Sequence, residues 1–68
     1  MADTTRNNDA ALAAFMTAKA EIDALLARIQ EASGNHFGAM PDRVTWGDAG
    51  SLGFVTERLQ AIAEFLRV

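Results

Sequence analysis

A long stretch without glycine or proline most constrains what this chain can fold into. Residues 9–33 contain neither residue and are rich in alanine, which has the highest helix propensity. Large apolar residues recur there at seven-residue steps, as Phe15, Ile22 and Ile29. This stripe is flanked on one side by Ala11, Ala18, Leu25 and Ala32, and on the other by Leu12 and Leu26. The spacing predicts an amphipathic helix over about residues 9–33.

Residues suited to ending a helix stand at both ends of this segment. Asn8 or Asp9 can accept a hydrogen bond from the first free backbone amides and so cap the start. Gly34, followed by Asn35, can adopt the left-handed conformation that commonly ends a helix. We therefore expect residues 1–8 to be a flexible N-terminus.

A second helix is predicted over about residues 46–67, because apolar residues again recur at steps of three and four. They form one seam, made of Leu52, Val55, Leu59, Ile62 and Leu66. Thr45 and Asp48 have the spacing of a capping box, with Asp in place of the usual Glu, which would start the helix at Trp46. The rival start is Ser51.

The connection between the helices, residues 34–45, is longer than is usual in helical bundles. Within it, Pro41-Asp42 indicates a turn or the first turn of a short helix. Three apolar side chains of the connection are candidates to cover one end of the helix pair: Phe37, Met40 and Val44. The simplest architecture is all-α, a single domain over residues 9–67 that forms an antiparallel two-helix hairpin and could dimerise to a four-helix bundle.

The second helix carries another apolar line, on nearly the opposite side from its seam. The line contains Phe54, Ala61 and Phe65, with Gly47 and Gly50 in register before them and Trp46 close by. A contiguous apolar patch left in water usually marks an interface. The cover could be the connection folding back, a second copy or another protein. We expect the segment "HFGAMPD" to pack against one side of Trp46, and the two glycines to give clearance to an incoming helix.

Residues with catalytic or metal-binding potential are few. The chain has no cysteine, which excludes disulfides and thiolate chemistry. His36 is the only histidine, and Asp42 or Asp48 could join it at a metal without any spacing motif to support the site. These residues are better explained as a loop histidine, a turn residue and a cap residue. "GDAGSLG" follows no strand and lacks the lysine of a phosphate-binding loop. We expect no enzyme activity, no cofactor and no metal.

The charge balance bears on nucleic acid, and hydropathy bears on membranes. Six basic residues face nine acidic ones, for a net charge of −3, and the basic residues are scattered singly. Direct DNA binding is therefore disfavoured, since it needs clustered cations to displace counterions from phosphate. No apolar run approaches the roughly 20 residues that span a bilayer, and the start lacks the order of a signal peptide. We expect a cytoplasmic protein that binds neither nucleic acid nor membrane.

The run "NHFGAMPDRVTWGDAGSLGFVTERLQAIAEFL" resembles the QseM-like antiactivators, small proteins of proteobacterial integrative conjugative elements and conjugative plasmids. The resemblance covers residues 12–66, and it departs from the family pattern at Gly53 and Phe54, which stand where the family has polar residues. The matching positions are His36, Phe37, Pro41, Asp42, Val44, Trp46, Gly47, Gly50, Leu52, Glu57, Leu59 and Ile62.

This resemblance implies a protein that binds transcriptional activators and represses conjugative transfer. The implied partners are a LuxR-family quorum-sensing regulator and the activator of excision. The rival functions are a structural homodimer and a small DNA-binding regulator. Since buried aromatic residues dominate interface energetics, Trp46, Phe54 and Phe65 are the expected anchors. The remaining candidates for partner binding are Gly47, Gly50, Ala61, Phe37 and His36.

Overall fold

The structure, a computed structural model, describes the backbone of residues 2–68 and the side chains of residues 8–68. Over that range it contains helices and turns but no strand, which confirms the all-α prediction. The elements in chain order are α1 (Ala2–Gly34), a short turn (His36–Gly38), a 3-10 turn (Pro41–Arg43) and α2 (Trp46–Leu66). The chain divides into two compact units, Met1–Asn35 and His36–Val68. The antiparallel hairpin stays a prediction.

Helix α1 begins earlier than predicted. It runs from Ala2, so Asn8 and Asp9 lie inside the helix and do not cap its start. No glycine or proline stands between residues 2 and 33 to stop it. The flexible N-terminus over residues 1–8 stays a prediction, because Met1 and the side chains of residues 1–7 lie outside the described residues.

The C-terminus of α1 is also formed differently from the prediction. Gly34 remains part of the helix and is not among the residues with positive φ. Asn35 caps the end instead: its backbone N–H donates to the carbonyls of Glu31 (3.3 Å) and Ala32 (3.1 Å). The Asn35 side-chain amide also donates to the Glu31 carbonyl, at 3.2 Å. Because these bonds satisfy the last carbonyls, the helix needs no left-handed glycine there.

The left-handed residues follow in the connection. His36, Phe37 and Gly38 have φ values of 54°, 53° and 80°, and the Ala39 N–H closes the turn on the His36 carbonyl at 3.0 Å. Left-handed backbone costs a residue with a Cβ roughly 1–2 kcal/mol, so two of these three residues are strained. The Pro41–Arg43 turn follows, with proline at its first position, as the sequence indicated.

Helix α2 starts at Trp46, the first of the two predicted starts. It ends at Leu66, where Arg67 adopts the left-handed conformation (φ 60°). The Arg67 N–H donates to the carbonyls of Ala63 and Glu64, and the Val68 N–H donates to Ala63 at 3.0 Å. A left-handed C-terminal cap without glycine therefore closes this helix.

Large apolar side chains remain accessible throughout the described chain. Among residues 8–68 no side chain, apolar or polar, is buried. On α2 the N-terminal part of the seam is partly covered: Val55 is half-buried and Leu59 is 39% exposed, while Ile62 and Leu66 are more exposed. In the described residues, neither helix combines the length and the hydropathy needed to cross a membrane. The fold thus presents two amphipathic helices whose apolar surface is still open to contact.

Candidate protein-binding site on the second helix

A capping box sets the N-terminal end of the site. The Asp48 backbone N–H donates to the Thr45 side-chain oxygen, and the Thr45 N–H donates to the Asp48 carboxylate, each at 3.1 Å. Two amides that a helix start leaves unpaired are thereby satisfied. This pair fixes Trp46 as the first residue of α2.

The same two hydrogen bonds give a structural role to Asp48, which was a possible metal ligand on sequence grounds. Asp48 as a residue is half-buried, and its carboxylate accepts from the Thr45 N–H, which is the cap role that the sequence favoured. Across the described residues, no group of three or more His, Asp or Glu side chains comes together as metal ligands. His36 and Asp42 are both exposed.

Trp46 stands almost free of the rest of the chain. It is 92% exposed, so the prediction that "HFGAMPD" packs against one side of its ring is wrong. The capping box explains the difference, because it anchors the backbone before Trp46 while the side chain projects from the first turn. Val44, Thr45 and Ala49 line an open depression of about 410 Å³ together with Trp46.

Phe54 has one partner that the sequence reasoning missed. The Arg58 guanidinium carbon lies over the phenylalanine ring, 4.7 Å from its centroid. Residues four apart are neighbours on a helix surface, so the i,i+4 spacing was the available signal. A cation over an exposed ring contributes about 0.5–1 kcal/mol. Phe54 is 55% exposed, with Arg58 on one of its faces.

Phe65 and Ala61 continue the line towards the C-terminus. Phe65 is 85% exposed, and Ala61 is exposed as well. Ala61 follows Phe54 by seven residues and Phe65 follows Ala61 by four, so all three share one side of α2. Within the described residues, Arg58 covers one face of Phe54, while Phe65 stays almost fully exposed.

The glycines of the line are not required by the chain's own packing. A Cβ added at Gly50 would meet nothing within 4 Å. One added at Gly47 would lie 3.5 Å from the Thr45 side-chain oxygen, an ordinary contact. Alanine would fit at both positions, and at Gly50, inside the helix, it would favour the helix by roughly 1 kcal/mol. We call the surface formed by Trp46, Gly47, Gly50, Phe54, Ala61 and Phe65 the aromatic face.

The two weaker candidates lie elsewhere in their unit. His36 and Phe37 line a depression of about 150 Å³ with residues of the first turns of α2. The other residues of that depression are Ala39, Asp48, Ser51 and Leu52. Leu52 belongs to the seam, so the strained turn covers the seam side of α2 and leaves the aromatic face open. The structure therefore does not bring His36 and Phe37 together with Trp46.

No family model, curated protein or solved structure matches this chain.

Proposed function

We propose that the chain is a non-enzymatic protein-binding protein, an antiactivator whose aromatic face holds a transcriptional activator. The observation that carries the proposal is the exposure of Trp46 and Phe65, at 92% and 85%. Tryptophan and phenylalanine each bury about 150–250 Å² when covered and dominate interface energetics. Leaving both in water is costly unless another protein covers them.

The geometry defines what a partner must offer. Trp46 and Phe65 stand near opposite ends of α2, which spans Trp46–Leu66. At 1.5 Å per residue their separation along the helix axis is roughly 28 Å. A hydrophobic groove of that length would accept the helix in the manner of other helix-in-groove complexes. Gly47 and Gly50 would let the wall of the groove approach the α2 backbone closely.

The resemblance to QseM-like antiactivators supplies the partner class. We propose a LuxR-family quorum-sensing regulator and the excision activator as the bound proteins. Binding would hold each activator in a form that cannot engage DNA or polymerase, which represses conjugative transfer of the mobile element. The expected site of action is the cytoplasm.

A reporter assay with purified-protein binding tests the proposal. The chain is co-expressed with a LuxR-family activator encoded on the same mobile element, and a promoter dependent on that activator drives the reporter. We expect repression by the unaltered chain and loss of repression with Trp46→Ala or Phe65→Ala. Isothermal titration of the purified pair should show the same loss of affinity.

Met16→Ala is the matched control, since it removes an exposed apolar side chain from α1, outside the aromatic face. Repression that survives both aromatic substitutions would refute the proposed site. If the Met16→Ala chain also fails to repress, the loss is not specific to the aromatic face and the site assignment fails.

The structural homodimer is the main rival function. In that case the aromatic face would pair only with the same face of a second copy. Phe65→Ala would then abolish dimerisation, and the activator would not bind the chain. The DNA-binding regulator is disfavoured by the net charge of −3 and the dispersed basic residues.

A further inference from the structure

Helix α1 carries an uncovered apolar stripe of its own. Its unit consists of this helix and Asn35, and a single helix cannot bury its own side chains. Phe15, Ile22 and Leu25 are 64%, 53% and 51% exposed. Hydrophobic side chains at heptad spacing over several turns are the pattern that drives helices to pair.

Large and small residues alternate along the stripe. In an antiparallel pair of α1 helices, the large residues near the ends of the stripe in one copy therefore lie opposite small residues of the other. When two copies of α1 run antiparallel with Ile22 opposite Leu25, Phe15 lies opposite Ala32 and Ala18 opposite Ile29. Each contact then occurs twice, as a two-fold symmetric interface requires. Large residues fill the space left by small ones in the outer layers, which is how packed layers interdigitate. The α2 seam, with only large residues, lacks this alternation.

The charges beside the stripe select the same register. Glu21 and Arg28 both precede a stripe residue, so antiparallel pairing sets Glu21 of one copy beside Arg28 of the other, twice per pair. Parallel pairing would set Glu21 beside Leu26 instead. Among residues 8–68 the one salt bridge is Lys19–Asp23 at 2.7 Å, so neither Glu21 nor Arg28 has an ionic partner among those residues.

We propose that α1 is a homodimerisation surface: it pairs with α1 of a second copy, antiparallel, with Ile22 of each copy against Leu25 of the other. The aromatic face belongs to α2, so the pairing of α1 uses none of its residues. The inference is independent of the proposed function, because the chain alone suffices to test it.

A charge swap tests the register. Sedimentation equilibrium of the unaltered chain should show dimers. Glu21→Arg should weaken dimerisation about tenfold or more, since both attractive pairs become repulsive. Adding Arg28→Glu should restore it. Glu31→Arg changes the charge equally on an exposed position away from the stripe and should have little effect. Circular dichroism of each variant checks that α1 remains helical.

Cross-linking fixes the direction, which is simple in a chain without cysteine. A mixture of Ala18→Cys and Ile29→Cys chains should cross-link to each other through a short bis-maleimide, while neither cross-links with itself. Self-cross-linking of each variant would show parallel pairing and overturn the proposal. A dimer whose affinity does not change with the charge swap would also overturn it. So would a chain that is monomeric at all concentrations, which would mean that another part of the chain covers α1.

Discussion

Replacing Gly50 with alanine should separate the stability of α2 from its binding function. Glycine inside a helix lowers stability by about 0.8–1.0 kcal/mol relative to alanine. The added Cβ would meet nothing within 4 Å, so no steric cost offsets the gain. We expect Gly50→Ala to raise the free energy of unfolding by about 1 kcal/mol. For a chain of this length that corresponds to a rise of about 4–8 °C in Tm.

The same methyl group should weaken partner binding. If a partner backbone lies against Gly50, the methyl overpacks the interface, which costs typically 1–3 kcal/mol. The expected loss of affinity is roughly tenfold or more. Gly34→Ala is the matched control: its Cβ also meets nothing within 4 Å. Gly34 is a helical residue of α1 without positive φ, so alanine fits there too, and it lies outside the aromatic face.

Thermal unfolding by circular dichroism and titration calorimetry with the LuxR-family activator are the two assays. Both variants should be more stable than the unaltered chain, and only Gly50→Ala should bind more weakly. Equal binding by the two variants would show that Gly50 is not in the interface. If Gly50→Ala lowered the stability, the fold would have no room for a Cβ at this position. The expectation based on the absence of contacts within 4 Å would then be wrong.

Three further outcomes follow from the geometry. Thr45→Ala removes the capping box and should lower the free energy of unfolding by about 0.5–2 kcal/mol, measured by urea denaturation; an unchanged midpoint would show that the cap does not hold α2. Leu59→Ala should cost more stability than Phe54→Ala in the same assay, because Leu59 is 39% and Phe54 55% exposed, although less than the roughly 2–5 kcal/mol of a fully buried leucine. Equal losses would place Phe54 in the core. In mobility-shift assays DNA should not be bound at physiological salt, and a salt-sensitive shift would favour the regulator instead.

Capping motifs and the helical spacing of apolar residues predicted those parts of the fold that are determined by hydrogen bonds between residues close in sequence. The start of α2 was predicted correctly because Thr45 and Asp48 satisfy two amides within one turn, whatever the rest of the chain does. The apolar spacing likewise identified both helices. The end of α1 was mispredicted because Asn35 offers two donors to the last carbonyls, and this competes with the left-handed conformation expected of Gly34.

The sequence predicted which residues form the candidate site better than it predicted the contacts of those residues. The line of Phe54, Ala61 and Phe65 follows from helical periodicity alone, and the structure leaves all three exposed. Whether the connection would cover Trp46 depends on the direction of the chain after the turn at His36–Gly38. That direction comes from consecutive left-handed residues, two of which are not glycine, and residue propensities disfavour such backbone.

The most direct test of the aromatic face is the environment of Trp46 before and after the activator binds. The chain contains one tryptophan, so 5-fluorotryptophan labelling gives a single fluorine resonance even beside an activator with tryptophans of its own. In the free protein, we expect a chemical shift that responds to exchange of H₂O for D₂O, as befits a side chain that is 92% exposed. Addition of the LuxR-family activator should move the resonance, broaden it and remove the solvent response. A resonance that keeps its position and solvent response while calorimetry shows the complex forming would contradict the account.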